Sequence, residues 1–155
     1  MREKRRYAAE TAVPVERSRA AIEQLLISHG ATKYATGWDA GHDTIQFELF
    51  QRVIRFVLPR PDPADPKLAK DKYGWALKPH VLRQRLEQAD RQRWRALYLV
   101  LRAKIEAVEA GIAIFEQEFL AFVVLPSGFT VGDSLVPLLR EGKDLPLLSA
   151  PSSRQ

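Results

Sequence analysis

The spacing of apolar residues predicts that an amphipathic helix covers residues 15–29. Five residues share one helical face: Val15, Ile22, Leu25, Leu26 and His29. Pro14 suits the start of a helix, because the N–H that proline lacks would have no partner in the first turn. Gly30 follows directly and is typical of the residue that ends a helix in a left-handed conformation.

A strict alternation of apolar and polar residues follows and predicts antiparallel strands with one buried face. From residue 45 to residue 49 the odd positions are apolar and the even positions are polar, which is the pattern of a half-buried strand. The sequence predicts strands over 33–39, 44–50 and 53–58, with turns at 40–43 and at Gln51-Arg52. These strands form a meander, and a short apolar run at 122–126 is a candidate for a fourth strand.

Residues 80–110 have the periodicity of one long amphipathic helix, roughly 46 Å in length at 1.5 Å per residue. This length exceeds that of most helices in globular proteins. One stripe of the helix is apolar and consists of Leu86, Trp94, Leu97, Val100, Leu101, Ile105 and Val108. A second face is polar and cationic and consists of Gln84, Gln88, Arg91, Arg95 and Arg102.

Shorter elements are predicted after the long helix. Gly111 is expected to kink or end that helix, and residues 112–120 have a helical pattern, with two phenylalanines one turn apart. Thr130 and Asp133 have the spacing of a capping box, which predicts the start of a final short helix. The apolar residues of this final helix are Leu135, Val136, Leu138 and Leu139.

Together these elements predict an α+β fold. A three- to four-stranded antiparallel sheet is packed by an N-terminal helix and one long amphipathic helix, with a short C-terminal helix. Residues 13–141 form a single domain of ordinary size. Residues 1–12 are expected to be a flexible basic N-terminus and residues 142–155 a flexible tail. The prolines and lysines of residues 59–79 predict a long loop.

Composition narrows the chemistry that the chain can perform. The chain has no cysteine, which excludes disulfides, thiolate zinc sites and cysteine nucleophiles. Its histidines, His29, His42 and His80, lack the spacing that puts two metal ligands on one helical face. Glycine-rich phosphate loops and nucleophile elbows are also missing. The sequence therefore predicts a protein that is not an enzyme and that uses no metal or cofactor.

The N-terminus and the hydrophobic runs indicate the compartment. No run approaches the roughly 18–20 consecutive apolar residues of a membrane span. The basic residues after Met1 are followed by further charges rather than by an apolar segment, unlike a secretory signal. We therefore expect a soluble, cytoplasmic protein with no membrane partner.

Positive charge is concentrated in the middle of the chain. Residues 51–104 hold fourteen Lys and Arg against five Asp and Glu, a net charge of +9, whereas the whole chain has +5. Such a field attracts anionic partners, although a merely solvated basic surface is the alternative. The candidate nucleic-acid-binding residues are Arg52, Arg55, Lys67, Lys70, Lys72, Trp75, Lys78, Arg91, Arg95 and Arg102.

The arginines of the long helix are the strongest part of this set. Arg91 and Arg95 lie one turn apart and carry guanidinium forks suited to phosphate, and Arg102 continues the same line. Trp94 falls on the apolar stripe and is expected in the core. Trp75 lies between lysines of the loop, where it either stacks on a base or, as we favour, folds back to anchor the loop.

The two arginines of the third strand are a weaker part. Arg52 and Arg55 are expected on its outer face or rim, just before the basic loop. If the helices cover one face of the sheet only, the other face presents Arg55 and its polar neighbours to a partner.

Four segments resemble a family of small hypothetical proteins of bacteriophages and bacterial mobile elements. They are residues 13–18 (VPVERS), 54–59 (IRFVLP), 91–97 (RQRWRAL) and 119–126 (FLAFVVLP). The resemblance extends over residues 13–140. It implies a phage or mobile-element context, in which small basic proteins often serve DNA replication, recombination or host takeover, and it assigns no site residue.

The sequence favours a non-enzymatic nucleic-acid-binding accessory protein, with single-stranded DNA in replication or recombination as a candidate ligand. The alternative is a protein-interaction module. Such a module would be an inhibitor or adaptor of a bacterial host protein, or a homo-oligomer joined through the apolar stripe at Trp94, Leu97 and Leu101.

Overall fold

The alternating residues form an antiparallel sheet of three strands, β1 (Lys33–Trp38), β2 (His42–Leu49) and β3 (Arg52–Pro59), paired in that order. The computed structural model describes residues 8–143. The helices are α1 (Val15–Ser28), α2 (Pro66–Ala69), α3 (Pro79–Glu109), α4 (Phe115–Glu118) and α5 (Val131–Arg140), and a 3-10 helix covers Leu120–Phe122. The predicted α+β class is confirmed. The predicted flexible ends, 1–12 and 142–155, fall largely outside the described residues.

One face of the sheet carries the core. Ile45 pairs with Phe56, and Phe47 pairs with Ile54, so these four side chains point to the same face. The buried cluster on that face consists of Ile22, Leu26, Ile45, Phe47, Leu49, Ile54, Phe56, Leu58, Trp94, Leu97, Leu101, Ile105, Phe115 and Phe119. Because its members come from α1, the sheet, α3 and the segment after α3, one core holds all these elements together.

The long helix α3 has a packed half and a more open half. Its buried residues, Trp94, Leu97, Leu101 and Ile105, all lie from its middle onward. Trp94 is only 2% exposed, which confirms that it belongs to the core. Since the core of a single chain buries Trp94, Leu97 and Leu101, these residues are not available as the contact surface of an oligomer.

No helix within residues 8–143 is long and apolar enough to cross a membrane.

The turn between β2 and β3 is one residue earlier than predicted. It consists of Phe50 and Gln51, which have φ of +48° and +61°. Two positive φ angles are required by the tight hairpin turn that matches the twist of the strands, and glycine or asparagine usually supplies them. Here the ring of Phe50 packs on that of Phe115, with centroids 5.0 Å apart. This packing holds the turn in a conformation that its residue types do not favour.

The segment after α3 differs from its prediction. Gly111 ends α3, with φ of +71°. The predicted helix over 112–120 is wrong except for Phe115–Glu118. Its first amides, those of Ile112 and Ala113, donate instead to the carbonyl of Ala107 at 2.9 and 3.1 Å. These residues therefore cap α3, and the next helix begins only at Phe115.

The candidate fourth strand is reduced to one bridge. Val123 pairs with Ile54, and the N–H of Val124 donates to the carbonyl of Val53 at 2.8 Å. The chain then turns back, so that Val124 pairs with Thr130. The sheet within the described residues is therefore three-stranded, with a short hairpin beside β3.

Two predicted helix ends are confirmed. Gly30 has φ of +89°, and the N–H of the following Ala31 donates to the carbonyl of Leu26 at 3.0 Å, which closes α1. At the start of α5 the Asp133 N–H donates to Thr130 Oγ1 at 3.0 Å, and the Thr130 N–H donates to Asp133 Oδ2 at 2.9 Å. This is the reciprocal capping box that the spacing predicted.

Gly132 provides a test of how α5 is packed. A Cβ at Gly132 would lie 2.8 Å from the carbonyl oxygen of Ala121, and this backbone atom cannot move aside easily. We expect Gly132→Ala to lower the free energy of unfolding by about 1–3 kcal/mol, as overpacking does. Chemical denaturation measures this. The matched control is Gly37→Ala, whose new Cβ meets nothing within 4 Å; equal effects of the two variants would contradict the packing.

Candidate nucleic-acid interface

The lysines of the predicted loop lie in an ordered segment, residues 60–78, between β3 and α3. The segment contains the short helix α2, whose start is capped by the Asp65 carboxylate accepting from the Lys67 N–H at 2.9 Å. The N–H of Leu77 donates to the carbonyl of Ala69 at 2.9 Å and draws the segment together. Four of its side chains are exposed cations: Lys67, Lys70, Lys72 and Lys78. None of the four forms an ion pair within residues 8–143.

Residues 70–76 form a small hairpin, which we call the aromatic hairpin. Lys70 pairs with Ala76, and the N–H of Asp71 donates to the carbonyl of Trp75 at 2.8 Å. The Asp71 carboxylate accepts from the N–H groups of Tyr73 and Trp75, both at 2.9 Å. Asp71 therefore serves as the internal clamp of the hairpin rather than as a partner for a lysine.

The two aromatic side chains of this hairpin point into solvent. Tyr73 and Trp75 are each 74% exposed, and the Lys72 ammonium lies 4.9 Å from the centroid of the Tyr73 ring. The favoured interpretation of Trp75, as an anchor folded back on the core, is therefore wrong. The physical reason is the clamp of Asp71, because it fixes the hairpin by backbone hydrogen bonds and leaves the indole free.

The aromatic hairpin is tied to α3 by an arginine that was not among the predicted ligands. Arg85 donates through Nη1 to the carbonyl of Lys70 at 2.9 Å. At 100° per residue, Arg85 lies about 80° from Arg95 and about 100° from Arg102 around the helix. The hairpin is therefore attached to α3 about a quarter turn around the helix from these two arginines.

The arginine row of α3 is not uniform. Arg91 is half-buried and donates to Gln88 Oε1 through Nε at 3.1 Å and Nη2 at 2.6 Å. Gln88 in turn donates to the carbonyls of Ala9 and Thr11 at 3.1 and 3.0 Å, so this pair fixes the chain that precedes α1. Arg95 lies over the Tyr98 ring, 4.7 Å from its centroid.

Arg102 is the most accessible member of the row. Its side chain is exposed, and within residues 8–143 it has no hydrogen bond or ion pair. Of the three predicted arginines, Arg95 and Arg102 keep their guanidinium groups available to a ligand, whereas Arg91 is committed to the fold.

Arg52 and Arg55 lie apart from the other candidates. Arg52 begins β3, roughly 23 Å from the loop that follows the strand, and its Nη2 is 3.9 Å from Glu116 Oε1. Arg55 lies on the sheet face opposite the core and donates to Gln46 Oε1 at 3.0 Å and to the Gly128 carbonyl at 2.8 Å. The structure therefore does not join these two residues to the lysines.

A buried charge cluster was not predicted from the sequence. Asp43 lies on the core face of the sheet and binds Arg93 of α3 and Arg60 after β3, the latter at 2.9 Å. Arg93 also binds Asp90 and donates to the carbonyl of Leu58 at 3.2 Å. Extending the alternation of β2 back by two residues places Asp43 in line with Ile45, and this signal would have identified it.

The electrostatics of Asp43 follow from this setting. Burial alone would raise the pKa of the Asp43 carboxyl, but hydrogen bonds and charge from Arg60 and Arg93 outweigh burial and hold it below its usual value. The carboxylate thus stays ionised and paired. A cleft of about 880 Å³ opens beside it, between α3, the start of α1 and the chain before α1.

This cleft offers little to a cofactor or metal. Its charged lining residues are Glu10, Glu16, Arg19, Asp43, Arg60, Glu87, Asp90, Arg91 and Arg93, so cations and carboxylates are nearly balanced. Within residues 8–143 no group of three or more His, Asp or Glu side chains is placed to hold a metal ion. The exposed cations of the aromatic hairpin and α3 form the better candidate site.

Comparisons with protein-family models, with curated proteins and with solved structures give no match to this chain.

The ion pairs of Asp43 with Arg60 and Arg93 give a prediction about the stability of the protein in acid. We expect Asp43→Asn to lower the free energy of unfolding at pH 7 by on the order of 3 kcal/mol, because Arg60 loses its counter-charge and Arg93 keeps only that of Asp90. The folded pKa of Asp43 lies below the unfolded value of about 4, so its contribution is complete above pH 4 and is lost as pH falls through the folded pKa. Denaturant titrations at pH 7, 5 and 3 measure this loss.

The difference between wild type and Asp43→Asn should therefore shrink below about pH 4. Glu106→Gln, which removes an exposed carboxylate of α3, is the control and should leave stability nearly unchanged. A difference that stayed constant from pH 7 to pH 3 would show that Asp43 is not held as an ion pair.

Proposed function

We propose that this protein is a non-enzymatic nucleic-acid-binding accessory protein that works in the cytoplasm. One observation carries the proposal: the four lysines of the loop are exposed and form no ion pair within residues 8–143. They lie beside two exposed aromatic rings, in a loop that Arg85 ties to α3, the helix that carries Arg95 and Arg102. The three aspartates of this segment accept backbone N–H groups instead of pairing with the lysines. Their carboxylates are therefore held against the backbone of the loop, and none of them neutralises one of the four lysines.

Binding would arise mainly from phosphate contacts. Each phosphate neutralised by Lys or Arg releases condensed counterions, which makes affinity strongly dependent on salt. Lysines supply point charges along the loop, and Arg95 and Arg102 supply planar forks that can take two phosphate oxygens each. The role has no chemical step, since it needs only to hold and position a nucleic acid.

The resemblance to small phage and mobile-element proteins supports the setting that we propose. In that setting the protein would assist replication or recombination by occupying DNA, and single-stranded DNA is the form exposed during both processes.

Salt dependence tests the proposal. We expect Lys67→Gln with Lys78→Gln, and separately Arg95→Gln with Arg102→Gln, each to reduce the slope of log affinity against log salt. The reduction should be about 0.7 on single strands, and about 0.9 on duplex, for each phosphate that is no longer neutralised. Fluorescence anisotropy from 25 to 300 mM KCl measures the slopes.

The control removes equal charge elsewhere. Arg140→Gln with Lys143→Gln takes two cations from the end of α5 and should leave the slope unchanged. The proposed interface would be refuted if the protein did not bind nucleic acid at 25 mM KCl. It would also be refuted if the Arg140/Lys143 control reduced the salt slope as much as the Lys67/Lys78 and Arg95/Arg102 variants do.

A second candidate function, self-association, is supported by a separate surface. A groove of about 830 Å³ lies between β3, the short hairpin and α5. Phe129 and Val57 are more than half exposed around it, Val136 is partly exposed, and α5 has no buried residue. Because Arg55 and Asp133 of the groove are already engaged within the chain, the exposed apolar side chains would form the contact between two copies related by a two-fold axis.

Light scattering distinguishes this candidate. If the groove joins two copies, the wild type will be a dimer at about 100 µM, and Phe129→Ser with Val136→Ser will be a monomer with an unchanged circular dichroism spectrum. A monomeric wild type removes this candidate and leaves nucleic-acid binding untouched.

A further inference from the structure

We propose that the aromatic hairpin recognises unpaired bases, so that the protein binds single-stranded nucleic acid in preference to duplex. This inference rests on the proposed nucleic-acid binding and names its substrate class. It concerns Tyr73 and Trp75, whose rings take no part in the phosphate contacts.

The exposure of the two rings is the first support. Tyr73 and Trp75 lie two positions apart at the tip of the hairpin and are each 74% exposed. Aromatic rings presented between cations are the means by which proteins stack on bases without reading their sequence. In a duplex both faces of each internal base are covered by its neighbours, so such stacking is open only to unpaired bases.

The rigidity of the hairpin is the second support. The Asp71 carboxylate accepts from the N–H groups of both aromatic residues. Gly74, at φ of +86°, makes the turn between them, and its N–H donates to the carbonyl of Asp71 at 3.0 Å. The rings are thus carried on a fixed backbone. A preorganised element loses less entropy when it binds, which strengthens binding.

The distribution of charge is the third support. Lys70 and Lys72 flank the clamp, so cations for phosphates lie beside rings for bases. From Arg85, at the hairpin, to Arg102 the helix rises roughly 26 Å. One strand of B-form duplex would place about eight phosphates along this length, at about 3.4 Å each, and a single strand with its bases splayed apart would place fewer.

A membrane surface is the rival ligand, since tryptophan, tyrosine and lysine also occur at membrane interfaces. Interfacial helices and loops, however, bury a broad apolar face. Apart from its two rings, the tip of this hairpin, residues 71–75, consists of Asp71, Lys72 and Gly74. The composition therefore favours a strand of nucleic acid.

The test uses the full chain, a fluorescein-labelled oligothymidylate of 15 nucleotides and a blunt-ended DNA duplex of 15 base pairs. At 100 mM KCl, Trp75→Ala is expected to weaken binding of the single strand about tenfold or more, and Tyr73→Ala to have a similar effect. Duplex binding should change less than twofold. Trp75→Phe should keep most of the affinity, because it keeps a ring.

Two further variants sharpen the result. Trp38→Ala is the matched control, since Trp38 of β1 is also exposed but lies outside the hairpin, and it should leave binding unchanged. Asp71→Ala removes a negative charge, which by electrostatics alone would strengthen binding. We expect weaker binding of the single strand instead, because the variant has no clamp. Circular dichroism confirms that the variants fold.

The outcomes separate the two proposals. If Trp75→Ala leaves single-strand affinity unchanged while the lysine variants reduce the salt slope, base stacking is refuted and nucleic-acid binding stands. No binding to either probe at 25 mM KCl refutes both. Binding to vesicles containing phosphatidylserine that is abolished by Trp75→Ala, without any effect on the oligonucleotide, would assign the rings to membranes and refute this inference.

Discussion

The placement of one buried carboxylate governs how this molecule is assembled. Asp43 lies on the core face of β2, where an unpaired charge would be very costly. It is neutralised by Arg93, which comes from the middle of α3, and by Arg60, which follows β3. Arg93 also donates to the carbonyls of Leu58 and Pro59. One cluster therefore fixes the end of the sheet and the position of the long helix together.

The orientation of α3 has consequences for its outer surface. Because successive helical residues are 100° apart, fixing Arg93 toward the sheet turns Arg95 about 200° away, to the outside. The same constraint holds the start of α3 beyond the sheet, where the loop with the lysines is attached through Arg85. The buried cluster around Asp43 thus fixes the direction in which Arg95 points from α3.

Local patterns were sufficient to predict most of the fold, and contacts distant in sequence account for the errors. The strands, the long helix and the glycine ends of α1 and α3 follow from periodicity and from backbone preferences of a few adjacent residues. The turn at Phe50 was missed because its strained backbone is held by Phe115, which is far away in the sequence. The pairing of Asp43 with Arg93 spans 50 residues and has no local signature.

The candidate site was predicted less well, because sequence treats all cations as equivalent. In the structure Arg91 is bound to Gln88, and Arg55 to Gln46 and Gly128, so two of the expected ligands are engaged in the fold. For Trp75 the error has the opposite direction. We expected its side chain to be buried as an anchor of the loop, but the hydrogen bonds of Asp71 keep it exposed to solvent. Whether a side chain is free depends on hydrogen-bond partners that only three-dimensional placement supplies.

The order of the elements along the chain has a consequence for synthesis on the ribosome. The three strands are complete by Pro59, but most of the residues that cover their apolar face, from Trp94 to Phe119, are translated later. Long-range contacts of this kind form slowly, and a nascent sheet with an open apolar face is prone to aggregate. The polar loop of residues 60–78 is made during this interval. The sheet therefore has only α1 to shield it until the nascent chain has grown by dozens of residues and α3 emerges.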